Sequence, residues 1–211
     1  MHDVSFGVIV LAGGQSKRFS EDKGLFLING KPLSYFIIST VSQIVSDIVV
    51  VVKTESQKNN YESLLSNFNI NIIPDNSNIF APLVGLYTGL KNINTDYVLV
   101  LPVDTPLISP EFVHFILSFA PSHGAVIPRW PSGYIEPLHS VYHTNSTREI
   151  VHDLLDNKEY RVHKIIDELR NVLYVSTEVF RQIDPNLYSF MNINTRADLS
   201  KITNILKKRN L

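Results

Sequence analysis

The 211-residue chain contains no cysteine. That excludes disulfides, thiolate metal sites and a cysteine nucleophile, and it fits a reducing compartment. Charge of one sign is missing as well. Nineteen Lys and Arg stand against 20 Asp and Glu, a formal net charge of −1. No global field therefore favours nucleic acid or an anionic membrane surface, and any bound anion is handled by a local site. No apolar run approaches membrane-spanning length, and the short one near the N-terminus follows Met1-His2-Asp3-Val4-Ser5, with no positive segment before it. The expectation is a soluble, cytoplasmic protein with neither nucleic acid nor membrane as a partner. Repeats, low-complexity tracts and linkers are also absent. The length suits a single domain over residues 1–211, burying about 70% of the surface that its unfolded chain exposes.

What is present is concentrated near the N-terminus. The run Phe6 to Ala12 is apolar throughout, as in a strand buried on both faces, and it ends in Gly13-Gly14 followed by Gln15-Ser16-Lys17-Arg18-Phe19-Ser20-Glu21-Asp22-Lys23-Gly24. Glycines at a strand end let backbone N–H groups approach an anion closely, and Lys17, Arg18 and Lys23 supply opposite charge. This is the pattern of a phosphate site.

Strands and helices then alternate. Asn29-Gly30 marks a turn, Pro32 suits the first turn of a helix, and apolar spacing predicts that helix over Leu33 to Val45. Ile48 to Val52 reads as a second buried strand, residues 55–67 as a surface helix and Ile70 to Ile73 as a third strand. The stretch from Pro74 to Pro82 is loop by composition, and helical spacing resumes from Leu83 to Ile93. A fourth strand, Tyr97 to Pro102, runs into Val103-Asp104-Thr105-Pro106. Ser109-Pro110-Glu111 then opens a helix to about Phe119.

Ala125 to Pro128 and Leu138 to Tyr142 are short strands joined by a segment too short for a parallel crossover, so the sheet is expected to be mixed. Residues 146–157 and 161–169 have helical spacing, Val172 to Val175 suits a last strand, and Ala197 to Lys208 a terminal helix whose basic end matches its dipole. The predicted fold is α/β: a single Rossmann-like, doubly wound, mostly parallel (mixed) sheet with helices on both faces.

In such a sheet ligands bind at the carboxyl ends of the strands. Three chemistry-bearing segments are predicted there: the loop from Leu11 to Lys23, the loop holding Asp75, and the turn holding Asp104. Glycine N–H groups, cations and two carboxylates around one crevice suit a nucleotide triphosphate with Mg²⁺. Phosphoryl or nucleotidyl transfer is largely positioning and charge neutralisation. Neither the Walker pattern nor the dinucleotide fingerprint Gly-x-Gly-x-x-Gly is met. Residue chemistry alone therefore reaches a phosphate-binding α/β enzyme.

Leu11-Ala12-Gly13-Gly14, Arg18, Asp22-Lys23-Gly24 and Asn29-Gly30-Lys31-Pro32-Leu33 resemble the nucleotide-binding signature of the molybdenum cofactor guanylyltransferases, within the nucleotidyltransferase superfamily. Pro82-Leu83-Val84-Gly85, Pro102-Val103-Asp104-Thr105-Pro106 and Phe190-Met191-Asn192-Ile193-Asn194-Thr195 resemble later family motifs in the same order, so the similarity spans nearly the whole chain. The resemblance implies a fold of the nucleotide-diphospho-sugar transferase type. It implies that Leu11, Ala12, Gly13 and Gly14 contact a guanine nucleotide, that Lys23 binds phosphates with help from Arg18, that Asp75 touches the nucleotide and that Asp104 holds Mg²⁺. Asn192 and Asn194 are carried over as residues near the metal or the acceptor.

The implied reaction joins GMP from GTP to the phosphate of molybdenum-bound molybdopterin and releases pyrophosphate. Molybdenum enzymes and cofactor-biosynthesis proteins are implied partners. The alternatives are another nucleotidyltransferase with a cytidylyl or sugar-phosphate reaction, or a non-catalytic nucleotide-binding regulatory module. Departures from the family pattern fall at Phe19-Ser20, at Ala81 and at Lys53-Thr54-Glu55-Ser56, where no nucleotide-contacting asparagine is found. The last bears on base selectivity.

Other residues have competing readings. Asp22 is expected to cap a turn or pair with a cation, and Asp75 without the resemblance would be a turn residue. His139 and His143, four apart on a predicted strand, would share a face; a hydrogen-bonded or substrate-facing role suits them better than a metal. Trp130 and Tyr134 could stack on a pterin or pack a turn over the sheet. Asn192 and Asn194 are two apart on an extended segment, and Asn194 or Thr195 could cap the terminal helix.

Overall fold

The computed structural model describes residues 3–13 and 22–208. In chain order the strands are β1 (Phe6–Leu11), β2 (Leu27–Ile28), β3 (Lys31–Pro32), β4 (Asp47–Val52), β5 (Asn71–Pro74), β6 (Tyr97–Pro102), β7 (Ala125–Arg129), β8 (Ser140–His143) and β9 (Val172–Ser176). The helices are α1 (Leu33–Val41), α2 (Glu55–Leu64), α3 (Pro82–Lys91), α4 (Pro110–Ser118), α5 (Thr144–Asp156), α6 (His163–Glu168), α7 (Thr177–Phe180) and α8 (Arg196–Lys208).

Seven strands form one sheet in the order β5-β4-β1-β6-β8-β7-β9. The pairs β5–β4, β4–β1, β1–β6 and β7–β9 are parallel, whereas β8 runs antiparallel to both β6 and β7. The expected mixed, mostly parallel sheet is what forms. Successive residues of the apolar strands face opposite layers. Val8, Val10, Val50, Val52, Leu99 and Leu101 join a core with α1, α4 and Tyr61 of α2. Ile9, Val49, Val51, Val98 and Val100 join a second core with α3, α5 and α6. A third cluster, including Ile28, Leu33, Leu107, Ile193, Ile202 and Leu206, packs α8 against α1 and the β2–β3 hairpin.

The Asn29-Gly30 turn joins β2 to β3 with positive φ at both residues (53° and 78°), the backbone of a two-residue hairpin turn. Pro32 closes β3 and stands as the N-cap of α1 rather than inside its first turn. The helix predicted to Val45 ends at Val41. Ile44 and Val45 still pack on the core, but from turns, so apolar spacing outlasts helical backbone. Similarly, β8 begins at Ser140 rather than Leu138. The His139 N–H donates to the Glu136 carbonyl in a turn, so His139 and His143 do not share a strand face. The short α7 and the 3-10 turn Lys23–Leu25 carry too few residues for a periodic signal. No helix among the described residues is long and apolar enough to cross a membrane.

Candidate active site

Strand order reverses between β1 and β6: from β1 the chain moves outward to β4 and β5, and from β6 it moves outward the other way to β8, β7 and β9. At the carboxyl ends of these strands and of β4 lies a cleft of about 480 Å³. Each neighbouring strand delivers one piece of its wall. Leu11, Ala12 and Gly13 come from β1, Lys53 follows β4, Asp75 follows β5, and Asp104 follows β6, while Pro82 and Gly85 open α3 beneath them. Gly14 and Arg18 were expected here too, but they lie outside the described residues, as does Lys17.

Backbone hydrogen bonds extend the sheet into the cleft. The Ala12 N–H donates to the Val51 carbonyl (2.7 Å) and the Val103 N–H to the Leu11 carbonyl (3.0 Å). A Cβ on Gly13 would stand 3.3 Å from the backbone at both Val52 and Lys53, tighter than ordinary contact, so a glycine lets the β1 and β4 ends meet there.

Lys23 and Asp104 come together. The Lys23 Nζ donates to Asp104 Oδ2 (3.0 Å), to the Ile193 carbonyl (2.5 Å) and to Asn194 Oδ1 (3.2 Å). Both side chains keep some exposure, 17% and 19%, which leaves them reachable from the cleft. Asp104 is fixed through its own carbonyl, which accepts from the Ile193 N–H (2.9 Å). Its Oδ1 carries no hydrogen bond among the described residues.

Asp22 places Lys23. Its carboxylate accepts from the Gly24 N–H (3.0 Å), the Tyr61 hydroxyl (3.0 Å) and Gln57 Nε2 (2.9 Å), tying the 3-10 turn to α2. The expected turn cap is therefore what Asp22 is. Burial raises its pKa above the ordinary carboxylate value, although all three donors pull the other way. Tyr61, buried beside it, has its hydroxyl pKa raised well above normal, chiefly by burial.

Asp75 serves both as a turn residue and as part of the cleft. Its Oδ1 accepts from the Ser77 N–H (2.8 Å), an Asx turn, and from Lys53 Nζ (2.8 Å). Lys53 is a site residue that the sequence patterns did not single out. Its Nζ also donates to the Ile79 carbonyl (2.8 Å) and lies 4.6 Å from the centre of the Phe80 ring. One signal was available: Lys53 directly follows a buried strand, the position that Gly13, Asp75 and Asp104 also occupy near their strands' ends.

Asn194 reaches the site through Lys23, whereas Asn192 does not line the cleft; its Oδ1 is buried with no hydrogen-bond partner among the described residues. Thr195 caps α8. The Asp198 N–H donates to Thr195 Oγ1 (3.1 Å), and the Asp198 carboxylate accepts from the Thr195 hydroxyl (2.9 Å) and N–H (2.7 Å) and from the Asn194 N–H (3.0 Å). These contacts, led by the Thr195 hydroxyl, lower the Asp198 pKa.

The two histidines have separate surroundings. His143 caps α5 through Ser146, and His139 is buried against Phe190 with Glu136 Oε2 3.6 Å away. Trp130 donates to Glu136 Oε1 (2.8 Å) and packs on Phe190, as expected of a turn lying over the sheet, while Tyr134 is exposed. No group of three or more His, Asp or Glu among the described residues could hold a metal by itself.

A crevice that sets two lysines and two strand-end carboxylates beside the glycine end of β1 is equipped to position a nucleotide triphosphate for attack by a second substrate. That is the class of the nucleotidyltransferases. The family model described as the MobA-like NTP transferase domain matches residues 8–172, and the chain belongs to that family. It is 37% identical over 202 residues to a protein of Pyrococcus horikoshii, and 36% over 198 residues to one of Thermococcus gammatolerans. Both are named probable molybdenum cofactor guanylyltransferase. The alignments cover 92% of this chain in each case, and 97% and 96% of those proteins.

Among solved structures it resembles the molybdopterin-guanine dinucleotide biosynthesis protein A of Archaeoglobus fulgidus, with a TM-score of 0.79 and 26% identity over 96% of this chain and 99% of that one. A 4-diphosphocytidyl-2C-methyl-D-erythritol synthase from Anaerococcus prevotii shares the fold at 15% identity (TM-score 0.72; 97% of this chain, 96% of that one).

Proposed function

We propose that this chain, acting as a single cytoplasmic domain, transfers GMP from GTP to the phosphate of molybdenum-bound molybdopterin, forming the guanine dinucleotide cofactor and pyrophosphate. The observation that carries the reading is the meeting of Lys23 and Asp104 in the cleft that also holds Asp75. The names of the relatives at 36–37% identity supply the acceptor and the base.

In this reading the acceptor phosphate attacks the α-phosphorus in line, the bond to the pyrophosphate breaks, and no covalent enzyme intermediate forms. A phosphate nucleophile is already ionised at neutral pH, so no strong general base is needed. The backbone at Leu11 to Gly13 and Gly14 cradles the nucleotide. Lys23 and Arg18 offset charge on the phosphates, and Asn194, bonded to Lys23, stands on the acceptor side.

The donor set fits Mg²⁺. This ion takes one or two carboxylates, substrate phosphates and waters, and Asp104 offers beside the cleft an oxygen that carries no hydrogen bond among the described residues. When bound, the ion neutralises charge developing on the phosphates. Lys23 would then keep its hold on the Ile193 carbonyl and Asn194 while its third N–H turns to phosphate. Molybdenum enzymes and other cofactor-assembly proteins would be the partners that receive the product.

Incubation with Mg²⁺, molybdenum-loaded molybdopterin and each nucleoside triphosphate in turn tests the reading. Pyrophosphate release with GTP is expected. Release with CTP alone would move the chain to a cytidylyl reaction, and none with any triphosphate would refute transfer.

A further inference from the structure

The Lys53–Asp75 pair is left over from the phosphate chemistry. The two side chains retain only 9% and 6% exposure. Pairing seldom offsets the desolvation of two such charges, so a buried pair is poor evidence of a stabilising device. This one lies in the wall of a substrate cleft, at the end of β4 and β5 rather than beside Lys23 and Asp104.

Its unused valences are complementary. Lys53 Nζ commits N–H groups to Asp75 Oδ1 and to the Ile79 carbonyl, which leaves one of its three N–H groups without an oxygen partner among the described residues. Asp75 Oδ1 is filled by Lys53 and the Ser77 N–H, while Oδ2 carries no hydrogen bond among the described residues. One donor therefore stands next to one carboxylate acceptor, beside the half-exposed ring of Phe80, whose face is an apolar surface for a planar ligand. The pairing edge of guanine places an acceptor, O6, beside two donors, N1–H and the 2-amino group. Adenine and cytosine present an amino donor where guanine has O6.

We infer that Lys53 is a specificity-determining residue: it holds Asp75 so that Oδ2 accepts from the N1–H and 2-amino donors, and it gives its remaining N–H to O6, so that the pair selects a 6-oxo-2-amino purine. This rests on the guanine-nucleotide reading above and fills the position where the family's asparagine is missing. A site built from buried donors and acceptors rejects analogues that leave them unpaired.

Equilibrium binding of GTP, ITP, 6-thio-GTP, ATP and CTP to the wild type, to K53M and to K53M/D75N tests it without any acceptor. ITP lacks the 2-amino group, and 6-thio-GTP weakens only the O6 acceptor. The wild type should prefer GTP to each of these two by about tenfold, the scale of one hydrogen bond to a charged group. In K53M the GTP to 6-thio-GTP ratio should fall to about one.

The double variant has no unpaired buried charge, which protects the fold if K53M alone is unstable, and it should lose both preferences. A K53M protein, or a folded double variant, that keeps the wild-type ratio of GTP to 6-thio-GTP overturns the role of Lys53 alone. A wild type that binds ATP or CTP more tightly than GTP overturns the guanine reading itself.

Discussion

Lys23 and Asp104 neutralise each other at 3.0 Å, 81 positions apart in the chain. Removing either one leaves the other charge facing the cleft without its partner. Asp104→Asn should lower pyrophosphate release by about a hundredfold or more, the scale seen when one electrostatic contact to a transition state is lost. Its melting temperature should stay within a few degrees of the wild type. A variant with near-normal turnover would remove Asp104 from the reaction. Asp22 makes a different prediction. Its pKa is raised in the fold, so the folded state binds more protons than the unfolded chain from about the ordinary carboxylate pKa up to the raised value. Across that window the wild type should lose stability, relative to Asp22→Asn, as pH rises. Paired thermal melts across the acid range check this, and a difference independent of pH would contradict it. At this scale a place in the cleft was legible where a residue closely follows an apolar strand, as Asp75 and Asp104 do, or falls on a family motif, as Lys23 does. Lys53 matched no pattern, because its meaning comes from Asp75 and Phe80, which only tertiary structure brings to it.

The elements around the cleft are set by a few close approaches. A Cβ on Gly24 would come within 1.9 Å of the Tyr61 hydroxyl, and Tyr61 is fully buried. Gly24→Ala therefore cannot keep both the Asp22–Tyr61 bond and the 3-10 turn that presents Lys23. It should cost about 1–3 kcal/mol of stability, as overpacking does. It should also weaken GTP binding, seen in denaturant melts and nucleotide titration; unchanged values in both would contradict the coupling. The C-terminal element acts from the other side. Thr195→Ala removes the α8 cap and should cost about 1 kcal/mol, or about 3 °C in melting temperature for a chain of this size. A loss of the Lys23 contacts at Ile193 and Asn194 would show as weaker nucleotide binding in the same variant. Long strands and helices were legible because apolar period and caps agreed, as for β6 and the Ser109-Pro110 start of α4. The ends of α1 and β8 were not, because Ile44, Val45 and Leu138 are apolar residues that pack from turns.

At the scale of the whole molecule, one sheet gathers residues from positions 11 to 138 into a single cleft. Four strands of the parallel part end there, so one loop each is enough to supply backbone donors, a lysine and carboxylates. The sheet order places β1 between β4 and β6, which is why the chain's densest chemistry, after β1, lies between Asp75 and Asp104. The α/β class and the mixed sheet followed from buried runs and one short strand connection. The strand order followed from neither, since pairing partners are set by long-range packing. Transfer of the GMP unit is tested directly with GTP labelled at the α-phosphorus, incubated with the protein, Mg²⁺ and molybdenum-loaded molybdopterin. The label is expected in the molybdopterin dinucleotide product, while a label at the γ-position leaves entirely as pyrophosphate. An α-label that stays in GTP, or is released as free GMP without a molybdopterin product, would contradict it.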